Sequence, residues 1–226
     1  CEKTSRKINR KVQVLMRQLS LLTHLRPPTD DVIIVTALPS ELPEALPETL
    51  LFTGVGKINA SYVLTRYLTN HPEVKTVINY GTAGGAIGVK QGDLIKCTTF
   101  VQGDMDCGDL TSGPGITFGD DPSVAGVIDF GTDGLVCRTQ DHFVTDLKAL
   151  DLFQHIMYDK SFNCVDMEAY ALAKVCANMG KNFICYKYIS DGADDNSDTD
   201  WQENVAKGEP LFYDVLKTEH KFTHVQ

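Results

Sequence analysis

The stretch "DVIIVTALP", residues 31–39, is an unbroken β-branched run closed by a proline. Such a run, with no polar alternation, predicts a strand buried on both faces, as in a parallel sheet covered by helices. The same signal returns in "VKTVINYGTAGGAIG" (74–88), a strand running into a glycine-rich turn, in "GDLIKCTTFV" (92–101), "GLVCRT" (134–139) and "NFICYKYIS" (182–190). Helical spacing fills the intervals. "LLFTGVGKINASYVLTRYL" passes through Gly54 and Gly56 into a helix around 57–69. "DLKALDLFQHIM" (146–157), a segment over 167–179, and "WQENVAKGEPLFYDVLKTEH" (201–220) supply the others. Strands alternating with helices imply an α/β domain around a mainly parallel sheet. Residues 102–133, rich in Gly, Asp and Pro, form a long irregular region of the kind that is often functional in compact domains.

Charge divides the chain. Residues 1–27 hold seven Lys/Arg and one Glu, whereas the whole chain of 226 residues carries a net charge of −9. The first 30 residues therefore read as a basic extension, amphipathic at helical spacing through Ile8, Val12, Leu15, Leu19 and Leu22. "RPPTDD" stops it, because proline cannot continue a helix. Residues 31–226 read as one folded α/β domain. Its acidic body argues against nucleic acid as a partner. The longest apolar runs, such as "VIIVTAL", are too short to span a bilayer, so no membrane partner is expected. Seven scattered cysteines without zinc-ligand spacing read as reduced thiols in a cytoplasmic protein, with no metal site.

Polar residues gather where these strands end. Glu41 follows the first strand, and Thr82 with its glycines follows the second. Asp141, His142 and Phe143 follow the fourth, and Ser190 with Asp191 the last. Ligands of α/β sheets sit at such strand ends, although any one of these residues taken singly fits ordinary loop polarity. "GTAGG" offers backbone N–H groups and close approach but lacks the spacing of a nucleotide-binding loop. Lys57 fits a phosphate lysine and a solvated helix-start lysine equally well. "DGADDNSDTD" (191–200) resembles a calcium loop without its glycine or terminal glutamate, and only Asp191 directly follows an apolar strand. "CVDMEAYALAKVC" (164–176) places Asp166 and Glu168 at the entrance of a buried helix, where carboxylates need partners.

"VDMEAYALAKVC" followed by "YISDGADDNS" resembles the signature of the nucleoside phosphorylase/nucleosidase superfamily, with its methylthioadenosine/S-adenosylhomocysteine nucleosidase branch the best match. "GVGKINAS" and "NYGTAGGAIGVKQGDLI" match two further blocks in the same order. The resemblance, covering about residues 31–215, implies a three-layer α/β sandwich with a central mixed sheet, partly closed into a barrel and flanked by helices. It implies a homodimer that cleaves the N-glycosidic bond of a purine nucleoside and needs no cofactor. Glu41 would activate water, and Asp191, placed by Ser190, would protonate purine N7. Phe143 would stack on the base and the Val144 backbone would pair with its edge. Met167 would lie under the sugar, Glu168 would accept hydrogen bonds from the ribose hydroxyls, and Thr82, Ala83 and Gly84 would line the water and sugar side. Asp166 would be a structural partner.

The chemistry asks for such groups independently. A purine leaves poorly as an anion, and protonation of N7 makes it neutral. The sugar becomes cationic in the transition state, which a carboxylate stabilises while activating water. The sequence also departs from the branch. Lys187 stands where arginine is common, a hairpin after Glu41 is missing, and "QGDMDCGDLTSGPG" lacks the aromatic residues that enclose a methylthio group. A phosphorolytic relative and a non-catalytic nucleoside-binding protein remain as alternatives.

Overall fold

The computed structural model describes residues 24–44, 50–111, 115–119, 126–147 and 162–225. The amphipathic stretch 8–22 and nearly all of the expected helix 146–157 lie outside them. A short β1 (His24–Arg26) precedes β2 (Val32–Thr36), β3 (Leu50–Phe52) and α1 (Lys57–Asn70). Then come β4 (Thr76–Gly85), β5 (Leu94–Gln102), β6 (Val127–Asp129), β7 (Leu135–Thr139) and β8 (Cys164–Asp166). The chain continues through α2 (Ala169–Asn178), β9 (Asn182–Asp191), α3 (Ser197–Asn204), α4 (Glu209–Thr218) and β10 (Thr223–Val225).

β4 and β9 run side by side in parallel over their full length, the long axis of the sheet. β9 also pairs antiparallel with β5, β5 parallel with β7, β7 parallel with β8, and β8 antiparallel with the end of β4. These pairings close a five-stranded ring, from which β2 and β3 extend as an open wing beside β4. The sheet is mainly parallel, as the strand–helix alternation suggests, and is made mixed by the antiparallel pairings of β5 with β9, β5 with β6 and β4 with β8. β1 and β10 form a separate antiparallel pair.

Helices cover both faces. α1 and α2 bury Ala60, Leu64, Leu68, Leu172, Ala173 and Cys176 against Val35, Val77 and Phe183. On the opposite side α4 presses Phe212 and Leu216 onto Tyr80, Tyr186 and Tyr188. α2 is small and apolar on nearly every side because it is covered on nearly every side.

The glycine cluster does not form a turn. Gly81, Gly84 and Gly85 lie inside β4, and the register against β9 shifts between Ala83 and Gly84. A side chain at Gly81 would meet Lys187 Nζ at 3.1 Å and Glu41 Oε1 at 3.4 Å. At Gly84 it would meet the Asp191 carboxylate at 3.1 Å and Ala193 at 2.9 Å. The glycines are there so that charged side chains of neighbouring elements can reach the strand.

Inside the ring, alternation along the strands stacks side chains in layers. One layer holds Asn79, Cys97, Cys137, Cys164 and Cys185, all buried. Two residues further along β7, β8 and β9 come Thr139, Asp166 and Lys187. Lys187 Nζ and Asp166 Oδ2 are 2.8 Å apart, with side-chain exposures of 1% and 0%. Burial opposes both charges, yet Lys187 holds the Asp166 carboxyl below its usual range and Asp166 holds the Lys187 ammonium well above its own.

Candidate active site

Beyond the Lys187–Asp166 layer, the ends of β2, β4, β8 and β9 open into a cavity of about 320 Å³. Glu41 lies on the turn after β2 and is 4% exposed. Five donors hold it. Thr36 Oγ1 (2.7 Å) and the backbone N–H groups of Ala37 (3.1 Å) and Leu38 (3.0 Å) donate to Oε2. The N–H (2.8 Å) and hydroxyl (3.0 Å) of Thr82 donate to Oε1. Trp201 Nε1 in turn donates to Thr82 Oγ1 at 3.0 Å, so α3 fixes the rotor that points at the carboxylate.

Asp191 closes β9 and is 1% exposed. Ser190 Oγ donates to its Oδ2 at 2.8 Å and the Ala193 N–H to its Oδ1 at 2.9 Å. Glu168 stands at the N-terminus of α2 without capping it. Asp166 does that work, accepting from the N–H groups of Glu168 (3.2 Å) and Ala169 (2.8 Å), and from Thr139 Oγ1 at 2.6 Å. Freed from capping its own helix, Glu168 accepts from the Gly56 N–H at 2.8 Å, at the start of α1. Asp141 Oδ1 accepts from Lys57 N beside it. α1 has no capping side chain of its own and is completed by carboxylates from distant parts of the chain.

The structure brings Glu41, Thr82, Ala83, Gly84, Phe143, Met167, Glu168, Ser190 and Asp191 to this one cavity. Val144 is not in the lining; it packs with Phe162, Val165 and Ala193 just behind it. Asp198, Trp201 and Gln202 of α3 complete the wall together with Leu38 and Val55. Sequence reasoning missed them because the acids of 194–200 read as solvated; the lone tryptophan of the chain was the available signal. Lys57 is not a phosphate ligand here, since it is engaged by Asp104 and by Asp141 at 3.6 Å. Arg138 turns away too, bonding Gln140 and the Gly103 carbonyl and stacking on Phe162. Among the described residues no Lys or Arg lines the cavity. A more open cleft of about 840 Å³ runs along the outer face of α1 and gathers no such set of facing carboxylates.

The phosphorylase superfamily model matches residues 41–130 and 122–218. The 5′-methylthioadenosine/S-adenosylhomocysteine nucleosidase of Exiguobacterium sp. is 30% identical over 174 residues, covering 68% of this chain and 71% of the relative. The enzyme of the same name from Geobacillus kaustophilus is 29% identical over 169 residues, covering 68% and 71%. Among solved structures, the Neisseria meningitidis nucleosidase in complex with methylthio-immucillin-A superposes with a TM-score of 0.64 at 21% identity, over 79% of this chain and 94% of that one. Futalosine hydrolase of Helicobacter pylori superposes with a TM-score of 0.68 at 19% identity, over 82% and 95%. At such identities the superpositions establish the fold, including the partly closed sheet.

Glu168 differs electrostatically from its neighbours. Burial pushes its carboxyl up to about 8, with the Asp166 charge adding to the effect. The folded chain therefore binds a proton here between the ordinary value of 4.5 and about 8, where the unfolded chain does not. Stability at this group falls as pH rises through that window. Glu168→Gln removes the titration, so the variant should lose less stability than wild type between about pH 5 and about pH 9 in urea melts. Parallel pH profiles for the two proteins would contradict the assignment.

Proposed function

The chain belongs to the phosphorylase superfamily, and from that premise and the cavity's geometry we propose that it is a purine nucleosidase of the 5′-methylthioadenosine/S-adenosylhomocysteine type. It hydrolyses the N-glycosidic bond to free base and a ribose sugar. The observation that carries this reading is the convergence of Glu41, Glu168 and Asp191, from three separate parts of the chain, on one cavity.

In the mechanism, Phe143 stacks on the purine and Met167 supports the sugar. Asp191 gives its proton to purine N7 as the C1′–N9 bond breaks, so the base leaves neutral. A water molecule held against Glu41 and Thr82 attacks C1′ from the other side. Its oxygen joins the sugar and its proton passes to Glu41. The five donors on Glu41 fix the carboxylate before the reaction begins, so no reorganisation is needed when charge develops on the sugar. Glu168 engages the ribose hydroxyls. Its shifted carboxyl presents both an acceptor and, near neutral pH, a donor, where the sequence suggested an acceptor alone.

Self-association as a cytoplasmic homodimer is part of the proposal. It is supported by Ile58 and Tyr62, 80% and 63% exposed on the outer face of α1 beside the site, and by twofold pairing being the commonest oligomeric form. No helix among the described residues is long and apolar enough to cross a membrane. Light scattering should give twice the chain mass at micromolar concentration; a monomeric mass would refute the dimer.

Loss of general acid catalysis costs roughly 100- to 10,000-fold. Asp191→Asn should lose at least that in kcat while keeping its fold, and Glu41→Gln should bind methylthioadenosine yet turn it over very slowly. Near-normal turnover by either variant would remove that residue from its role.

A further inference from the structure

The strand pairings of the ring assemble a thiol cluster that no spacing along the chain announces. Cys97 on β5 lies in register with Cys185 on β9, and Cys137 on β7 with Cys164 on β8. Cys97 Sγ and Cys164 Sγ are 3.8 Å apart, and the sulfurs of Cys97, Cys137 and Cys164 all lie within 4.8 Å of one another. All three residues are 2% exposed or less, and none is in a disulfide. Cys185 adjoins Cys97 but lies outside this mutually close set, and its thiol donates to Asn79 Oδ1 at 3.3 Å. The catalytic reading uses none of them.

We propose that Cys97, Cys137 and Cys164 form a three-coordinate site for a soft monovalent d10 cation, Cu(I). Thiolate sulfur selects soft cations over magnesium, calcium or manganese, and no oxygen or imidazole ligand belongs to the set. Zinc takes four ligands in closed sites, and a buried three-sulfur set with no water access supplies one too few. Cu(I) is satisfied by three. In the bound state two of the sulfurs are thiolates and the third coordinates as the thiol, the protons that binding displaces passing to solvent. Cu(I) with two thiolates leaves one net negative charge, facing the Lys187 ammonium, which already interacts electrostatically with Cys137. Cys137 would exchange its 3.4 Å hydrogen bond to Asp166 for the metal, which places the ion one layer beneath the capped end of α2.

The competing reading is that the thiols are small hydrophobes packed together. The test is to reduce the full chain under anaerobic conditions, incubate it with Cu(I) buffered by bicinchoninate, and remove unbound metal. One copper per chain should remain, with only sulfur scatterers at the copper absorption edge. Cys1→Ser/Cys107→Ser should keep it, and Cys137→Ala/Cys164→Ala should lose it. Absence of retained copper in wild type overturns the proposal, as do nitrogen or oxygen scatterers around it, or retention by the Cys137→Ala/Cys164→Ala variant. Should that variant fail to fold, the wild-type absorption edge decides alone.

Discussion

A lysine ammonium and an aspartate carboxylate, 2.8 Å apart and almost wholly removed from water, sit at the centre of the barrel just below the cavity. Removing water from two charges is costly, and geometry and extra hydrogen bonds must offset it. Asp166 has those bonds: Thr139 Oγ1 and the N–H groups of Glu168 and Ala169, at the entrance of α2, all donate to it. It is therefore both the counter-ion of Lys187 and the cap of the helix that carries Glu168. Taking away one partner of such a pair leaves a buried charge, at a cost of about 3–5 kcal/mol. Lysine brings to this pair a compact point charge, and Gly81 leaves the room it needs.

What Asp166 fixes propagates outward. Because it caps α2, Glu168 is released to reach Gly56 at the start of α1, and the two helices and the cavity wall become one unit. Glu41 is fixed independently, by the first turn after β2 and by Thr82, which α3 steadies through Trp201. The site is thus held by hydrogen bonds running between elements far apart in sequence, while the carboxylates themselves stay close to their strand ends. Its wall is acidic and, among the described residues, without a cation. Such a wall suits a neutral nucleophile and a developing positive charge on the sugar, and it repels an anion.

The long strands β4, β5 and β9 and the helices α1 and α2 were legible because each carries its signal and its punctuation over nine or more residues, as in "VKTVINYGTAGG" and "KINASYVLTRYL". The three-residue strands β1, β3, β6, β8 and β10 were not, since three residues establish no period. "GTAGG" misled because glycine marks turns, whereas here it makes room inside a strand for Lys187 and Asp191. Glu41, Glu168 and Asp191 were legible through position, one after a strand, one at a helix entrance and one at a strand end, and through the family blocks around the latter two. Asp198, Trp201 and Gln202 were not, because facing the cavity depends on how α3 packs against β9. The thiol cluster is a product of register and of closure of the ring, which brings residues 67 positions apart into contact across its interior.

The central claim is that water attacks the sugar in a cavity without a phosphate-binding cation. The most direct measurement is product analysis on a panel of purine nucleosides, methylthioadenosine and S-adenosylhomocysteine included, with and without added phosphate. Free base and free ribose sugar should form, at a rate that phosphate does not change. Phosphate-dependent release of a ribose 1-phosphate would contradict it and make the chain a phosphorylase.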